Sequence, residues 1–101
     1  MKVYVVITRY MFGVQDEAVF SSVDNAQQYL ASRNRKGSPE VVEEHIRGDM
    51  ESPNTVYSAS WYDKSSDIHH YEGVYGTFKD AKKAAGQQGL VLTRVIDERL
   101  G

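Results

Sequence analysis

The chain reads almost the same way twice, and that repetition constrains its fold more than any single motif does. The first half opens on Val3-Tyr4 in a β-branched run, passes through Glu17-Ala18-Val19-Phe20 and Ser22-Val23-Asp24-Asn25-Ala26, and closes on Val41-Val42-Glu43-Glu44-His45-Ile46. The second half opens on Val56-Tyr57, passes through Glu72-Gly73-Val74-Tyr75 and Thr77-Phe78-Lys79-Asp80-Ala81, and closes on Val91-Leu92-Thr93-Arg94-Val95-Ile96. Only small differences in loop length separate the two. Each half reads as strand, strand, helix, strand.

The helices are read from local chemistry. Ser22 and Thr77 each stand just before an amphipathic run, where a hydroxyl can accept from the orphan amides of a first turn. Apolar or small residues then recur at Val23, Ala26, Tyr29 and Leu30, and again at Phe78, Ala81, Ala84 and Ala85, the stripe of a helix lying on a sheet. Gly and Pro within 33–39, and Gly within 86–89, end the two helices. Val3 to Ile7 is apolar on both alternating faces, which predicts a central strand covered on two sides. Val56 to Tyr62 and Ile68 to Tyr75 mix aromatic and polar residues, as strands with one wet face do. The segment Glu40 to Met50 fits either a helical turn or a strand; its match to Val91 to Ile96 favours the strand. Units this short cannot each bury a helix face alone. The expected fold is therefore α+β, a two-layer sandwich within a single domain, residues 1–101. In it two pseudo-repeated ββαβ units, residues 1–52 and 53–101, share one mainly antiparallel sheet with both helices packed on it.

Composition narrows the chemistry. Of 101 residues 41% are apolar and 26% charged, enough for a real core. There is no cysteine, which excludes disulfides, thiolate metal sites and a cysteine nucleophile. Twelve basic against 14 acidic residues argue against a broad surface for double-stranded DNA, since such affinity comes from clustered cations releasing counterions. The apolar start is broken by Thr8 and Arg9, too short for a signal-peptide core or a membrane span. The expectation is an unprocessed, cytoplasmic protein with no membrane partner.

The opening Val3-Tyr4-Val5-Val6, the stretch from Val19 to Leu30 with its Ser21-Ser22 helix start, and the strand that follows resemble small ββαβ domains common in bacteriophages and bacterial mobile elements. His69 through Ala85 resembles the same pattern more loosely. The resemblance implies caps and packing residues rather than chemistry, and carries over no functional residue. It also implies a mode of action, because several small phage proteins of this size bind a host protein or sequester a signalling nucleotide.

The reactive groups give no catalytic constellation. Asp67, His69, His70 and Glu72 form the densest cluster, but alternation along a strand turns the two histidines to opposite faces. One alternative, a metal-dependent enzyme centred on His70 and Glu72, would need a further ligand from a neighbouring strand, such as His45 or Asp63; solvated histidines on a wet strand face account for the same pattern. No serine or threonine stands out as an activated nucleophile, and no cofactor motif is present, so the chain is read as a non-enzyme without a cofactor. Gly73 to Gly76 before the Thr77 helix is neither a dinucleotide fingerprint nor a phosphate loop, and Lys79, Lys82 and Lys83 read as a solvated face. Aromatic residues are the stronger signal. Tyr57, Trp61, Tyr62, Tyr71 and Tyr75 crowd the second hairpin, with Tyr57 and Trp61 expected on one face, Tyr62 on the other, and Tyr71 and Tyr75 together. One set is expected in the core and the other at a binding or dimer surface. These residues mark a protein-binding, self-associating accessory factor. With Arg33, Arg35 or Lys82 on phosphates, they would serve a nucleotide or single-stranded nucleic-acid binder instead.

Overall fold

The computed structural model describes residues 1–33 and 37–98. Eight elements follow in chain order: β1 (Lys2–Tyr10), β2 (Gly13–Phe20), α1 (Val23–Ser32), β3 (Ser38–His45), β4 (Thr55–Asp63), β5 (Ile68–Tyr75), α2 (Phe78–Ala85) and β6 (Leu90–Val95). The fold is α+β, with six strands in the order β3-β1-β2-β5-β4-β6 and two helices. The sheet is mixed but mostly antiparallel: β2 and β5 run parallel, joined at Gly13 and His69, and every other neighbouring pair is antiparallel. The ambiguous segment is strand from Ser38 to His45.

Both helices start where the hydroxyls predict. The Ser22 Oγ accepts the Asn25 amide and the Thr77 Oγ1 accepts the Asp80 amide, each at 3.1 Å. α2 ends at Gly86, whose φ of 84° lies in the left-handed region. β1 is central to its half of the sheet, between β2 and β3, and Val3, Val5 and Val6 are fully buried.

Side-chain packing separates into three clusters, and their membership gives the layering. Val6, Ala18 and Phe20 point to one face of β1 and β2 and pack on Ala26 and Tyr29 of α1. Ala59 on β4 packs on Ala81 and Ala85 of α2. The third cluster holds no helix residue: Val3, Val5, Ile7 and Val19 from the first half meet Val56 and Val74 from the second. These valines lie on the strand faces turned away from the helices. The expected two-layer sandwich, with both helices on one common face, is therefore corrected. The sheet folds over itself, so the helix-free faces of its two halves pack on each other and each helix covers the outside of its own half.

Backbone bonds tie the fold at its ends. The Arg47 amide donates to the Val74 carbonyl at 3.1 Å, and the Asp97 amide donates to the Val19 carbonyl at 2.9 Å. Each half thus extends the end of its third strand across to the second strand of the other. A buried ion pair spans the same gap, Arg94 Nε to Asp16 Oδ2 at 2.8 Å, with the Asp16 side chain 1% exposed.

Among the described residues, one buried side-chain oxygen in this core has no partner. Ser58 lies beside Val74 in the helix-free layer, and its buried Oγ makes no hydrogen bond. Removing a buried unsatisfied hydroxyl relieves its desolvation cost at almost constant volume. Ser58→Ala is expected to stabilise the chain by about 1 kcal/mol, read as a higher midpoint in urea with an unchanged slope.

Candidate functional site

Two hairpin ends meet at the β2–β5 junction, and there the molecule leaves large apolar side chains in water. The β1–β2 turn carries Tyr10, Met11 and Phe12, with Met11 87% exposed. Beside it, the β4–β5 hairpin presents Tyr62 and Ile68, also exposed. The His69 amide donates to the Phe12 carbonyl at 2.7 Å, which holds the two turns together. Tyr10, Phe12, Tyr62, Asp67 and His69 line a shallow depression of about 300 Å³ between them. Tyr62 leans on the His69 ring with centroids 4.7 Å apart, and its hydroxyl donates to the Asp67 carboxylate. That hydrogen bond holds the Tyr62 hydroxyl pKa above its ordinary value. These two contacts restrict the Tyr62 ring, which lowers the entropy cost of burying it against a partner.

The other predicted aromatics are distributed through the fold. Tyr57 and Tyr75 face α2; Tyr57 meets Phe78 edge-on at 6.1 Å, and Tyr75 lies under the Arg47 guanidinium at 5.5 Å. Tyr71 turns the other way, into the layer between the halves, where its hydroxyl donates to Glu44. The expectation that Tyr71 and Tyr75 share a face is thus corrected. The register jumps between Ala59 and Ser60, so Glu72 is an extra residue on β5 and the alternation reverses there. Trp61 stacks on His70 with centroids 4.3 Å apart, and its Nε1 donates to Glu72.

The predicted cations have internal partners. Arg33 donates to Glu17 Oε2 at 2.6 Å and to Thr8 Oγ1 at 3.2 Å, with both charged side chains almost fully covered, so it is a structural residue rather than a phosphate contact. Lys82 Nζ donates to the Gly89 and Gln87 carbonyls after α2. Arg35 lies outside the described residues. His70 and Glu72 are neighbours, whereas His45 sits exposed beside Lys2 toward the other end of the strands. Among the described residues no group of three His, Asp or Glu is arranged to hold a metal.

Next to the exposed patch a deeper cleft of about 420 Å³ opens between β3 and β5. Ile7, Val14 and Val42 wall it, the Arg9–Glu40 pair (3.1 Å) stands at its rim, and Glu44 and Tyr71 lie within it. Burial pushes the Glu44 carboxyl above its ordinary range, and burial with the adjacent Glu44 raises the Tyr71 hydroxyl well above its own. Among family models, curated proteins and solved structures, nothing matches this chain. Its geometry carries the functional reading alone.

Tyr10, Met11 and Phe12 were not among the residues that the sequence pointed to. The signal was present: hairpin turns favour Gly, Asn and Asp, so two bulky apolar residues at a tip have no local structural reason to be there.

Proposed function

We propose that this chain is a non-catalytic binding protein, a phage-type accessory factor that acts by occupying a host protein, and that the hairpin end is its contact surface. The observation that carries this reading is the exposed cluster of Tyr10, Met11, Phe12, Tyr62 and Ile68 on two adjoining turns. Contiguous apolar surface of this kind, rimmed by polar groups and rich in aromatics, is typical of protein contact sites. The nucleotide alternative keeps the Trp61–His70 stack but loses the phosphate contacts assigned to Arg33 and Lys82, which are held internally.

We also read the fold as a duplicated ββαβ unit, supported by bonds that recur at matching positions. Both register jumps skip a glutamate, Glu17 on β2 and Glu72 on β5. The Ile46 amide donates to Met1 at 2.9 Å as Ile96 donates to Asn54 at 2.8 Å, and Arg47 to Val74 matches Asp97 to Val19.

The test is co-purification from the protein's own cell, comparing the wild type with Phe12→Ala/Tyr62→Ala. Both side chains are exposed, so the double variant is expected to keep its melting temperature while losing at least tenfold of the captured partner. Light scattering on the same samples reports self-association. Unchanged capture would overturn the reading, and loss of a dimer with no other protein involved would replace the host protein by a second copy.

A further inference from the structure

We propose that the cleft between β3 and β5 is a binding site for a small aliphatic ammonium compound, with the Glu44 carboxylate as its counter-ion. Two matching places lie in the layer between the halves. On one side β6 carries Arg94 across to Asp16 on β2, and the guanidinium also donates to the Asp16 carbonyl at 2.9 Å. Anion and cation are matched there. On the other side β3 carries Glu44 across to Tyr71 on β5, where a phenol donates to one carboxylate oxygen. A phenol supplies a hydrogen bond but no charge.

Among the described residues no basic side chain forms an ion pair with Glu44. The nearest cation, Arg47, attracts Glu44 through space but makes no ion pair with it; it donates to the Tyr75 hydroxyl at 3.1 Å and rests on its ring. Asp16, which also faces this layer, adds negative potential at Glu44 and is already occupied by Arg94. At Gly73 the missing side chain leaves room for one carbon beside the second oxygen, Oε1: a β-carbon there would touch Oε1 at 3.4 Å and the Arg47 guanidinium at 3.8 Å. A half-buried carboxylate with no cation in direct contact is costly, and a cation that reaches it in low-dielectric surroundings is held more strongly than at the surface.

The walls select the rest of the ligand. Ile7, Val14 and Val42 offer methylene-sized apolar contact above the carboxylate. A volume of about 420 Å³ lies within the usual range for small-ligand sites and exceeds what a short alkyl chain needs. A bare metal ion is disfavoured by the donor set, one free carboxylate oxygen and a phenol, whereas an alkylammonium uses both the charge and the apolar walls. Carboxylate ligands are repelled by Glu44. His69, His70 and Glu72 at the β5 side, and the Arg9–Glu40 pair at the rim, border the opening without closing it.

The experiment titrates the full chain with n-butylamine and 1,5-diaminopentane, using n-butanol and butyrate as controls, followed by amide chemical shifts and calorimetry. The expected result is saturable shifts at Val42, Glu44, Tyr71 and Gly73, with the amines at least tenfold tighter than the alcohol and no binding of butyrate. Glu44→Gln is expected to lose at least tenfold in amine affinity. Should that variant fail to fold, Val42→Phe, which fills the cleft and leaves the carboxylate in place, decides instead by losing or keeping the site. Equal binding of amine and alcohol, shifts scattered over the acidic surface, or unchanged affinity in the folded variant would overturn the proposal.

Discussion

Gly13→Ala is expected to cost about 3 kcal/mol or more and to lower the melting temperature by at least roughly 12 °C, one of the two largest effects of any single substitution considered. Two physical causes act together. Gly13 adopts φ 130°, a conformation that L side chains rarely enter. A β-carbon there would also overlap the His69 backbone, its carbonyl oxygen above all. That contact cannot be relieved by turning a side chain, because it lies where β2 and β5 pair. The strands must part, and with them the junction that joins the two halves of the sheet. Thermal denaturation followed by circular dichroism measures the effect; a shift below about 4 °C, equivalent to some 1 kcal/mol, would mean that β2 and β5 are not in this contact.

Ala81→Asp is the second, expected to destabilise by about 3–5 kcal/mol. Ala81 is fully buried where α2 crosses Ala59, with Ala85 one turn on. The contact is built from small side chains and lined by apolar neighbours, so a carboxylate placed there is desolvated. Ala26→Asp tests the first helix in the same way, since Ala26 is equally buried among Val6, Ala18 and Phe20. The exposed neighbour Lys79→Asp controls for charge and helix propensity, and chemical denaturation of the three variants gives the ranking. A silent Ala81→Asp would reverse the assignment of the helix face.

Element type was readable because local chemistry and pattern agreed. Ser22 and Thr77 cap their helices, the apolar stripes face inward from Ala26 and from Ala81 onward while Val23 and Phe78 in the first turns stay exposed, and the run from Val3 to Ile7 lies in a strand whose Val3, Val5, Val6 and Ile7 are buried. Layering was not readable. A strand with one apolar face must bury it, but nothing along the chain says whether a helix or another strand does so. Val56 and Val74 carry no mark that they meet Val5 rather than α2. The aromatic faces were misjudged for a different reason. Counting by twos fails after an extra residue, and Glu72 does not announce itself as one, so Tyr71 and Tyr75 parted company. Arg33 shows the limit of reading charge from composition: a basic residue in a loop after a helix looked free, yet it folds back onto Glu17, which the same kind of register jump delivers to it.

The reciprocal grip at the strand ends also bears on how the molecule comes apart. Because Arg47 holds Val74 and Asp97 holds Val19, melting either half strips hydrogen bonds from the one that remains and bares its valine face. Neither portion has a resting place of its own along the unfolding path, so heat and denaturant meet one cooperative body whose integrity is shared rather than divided.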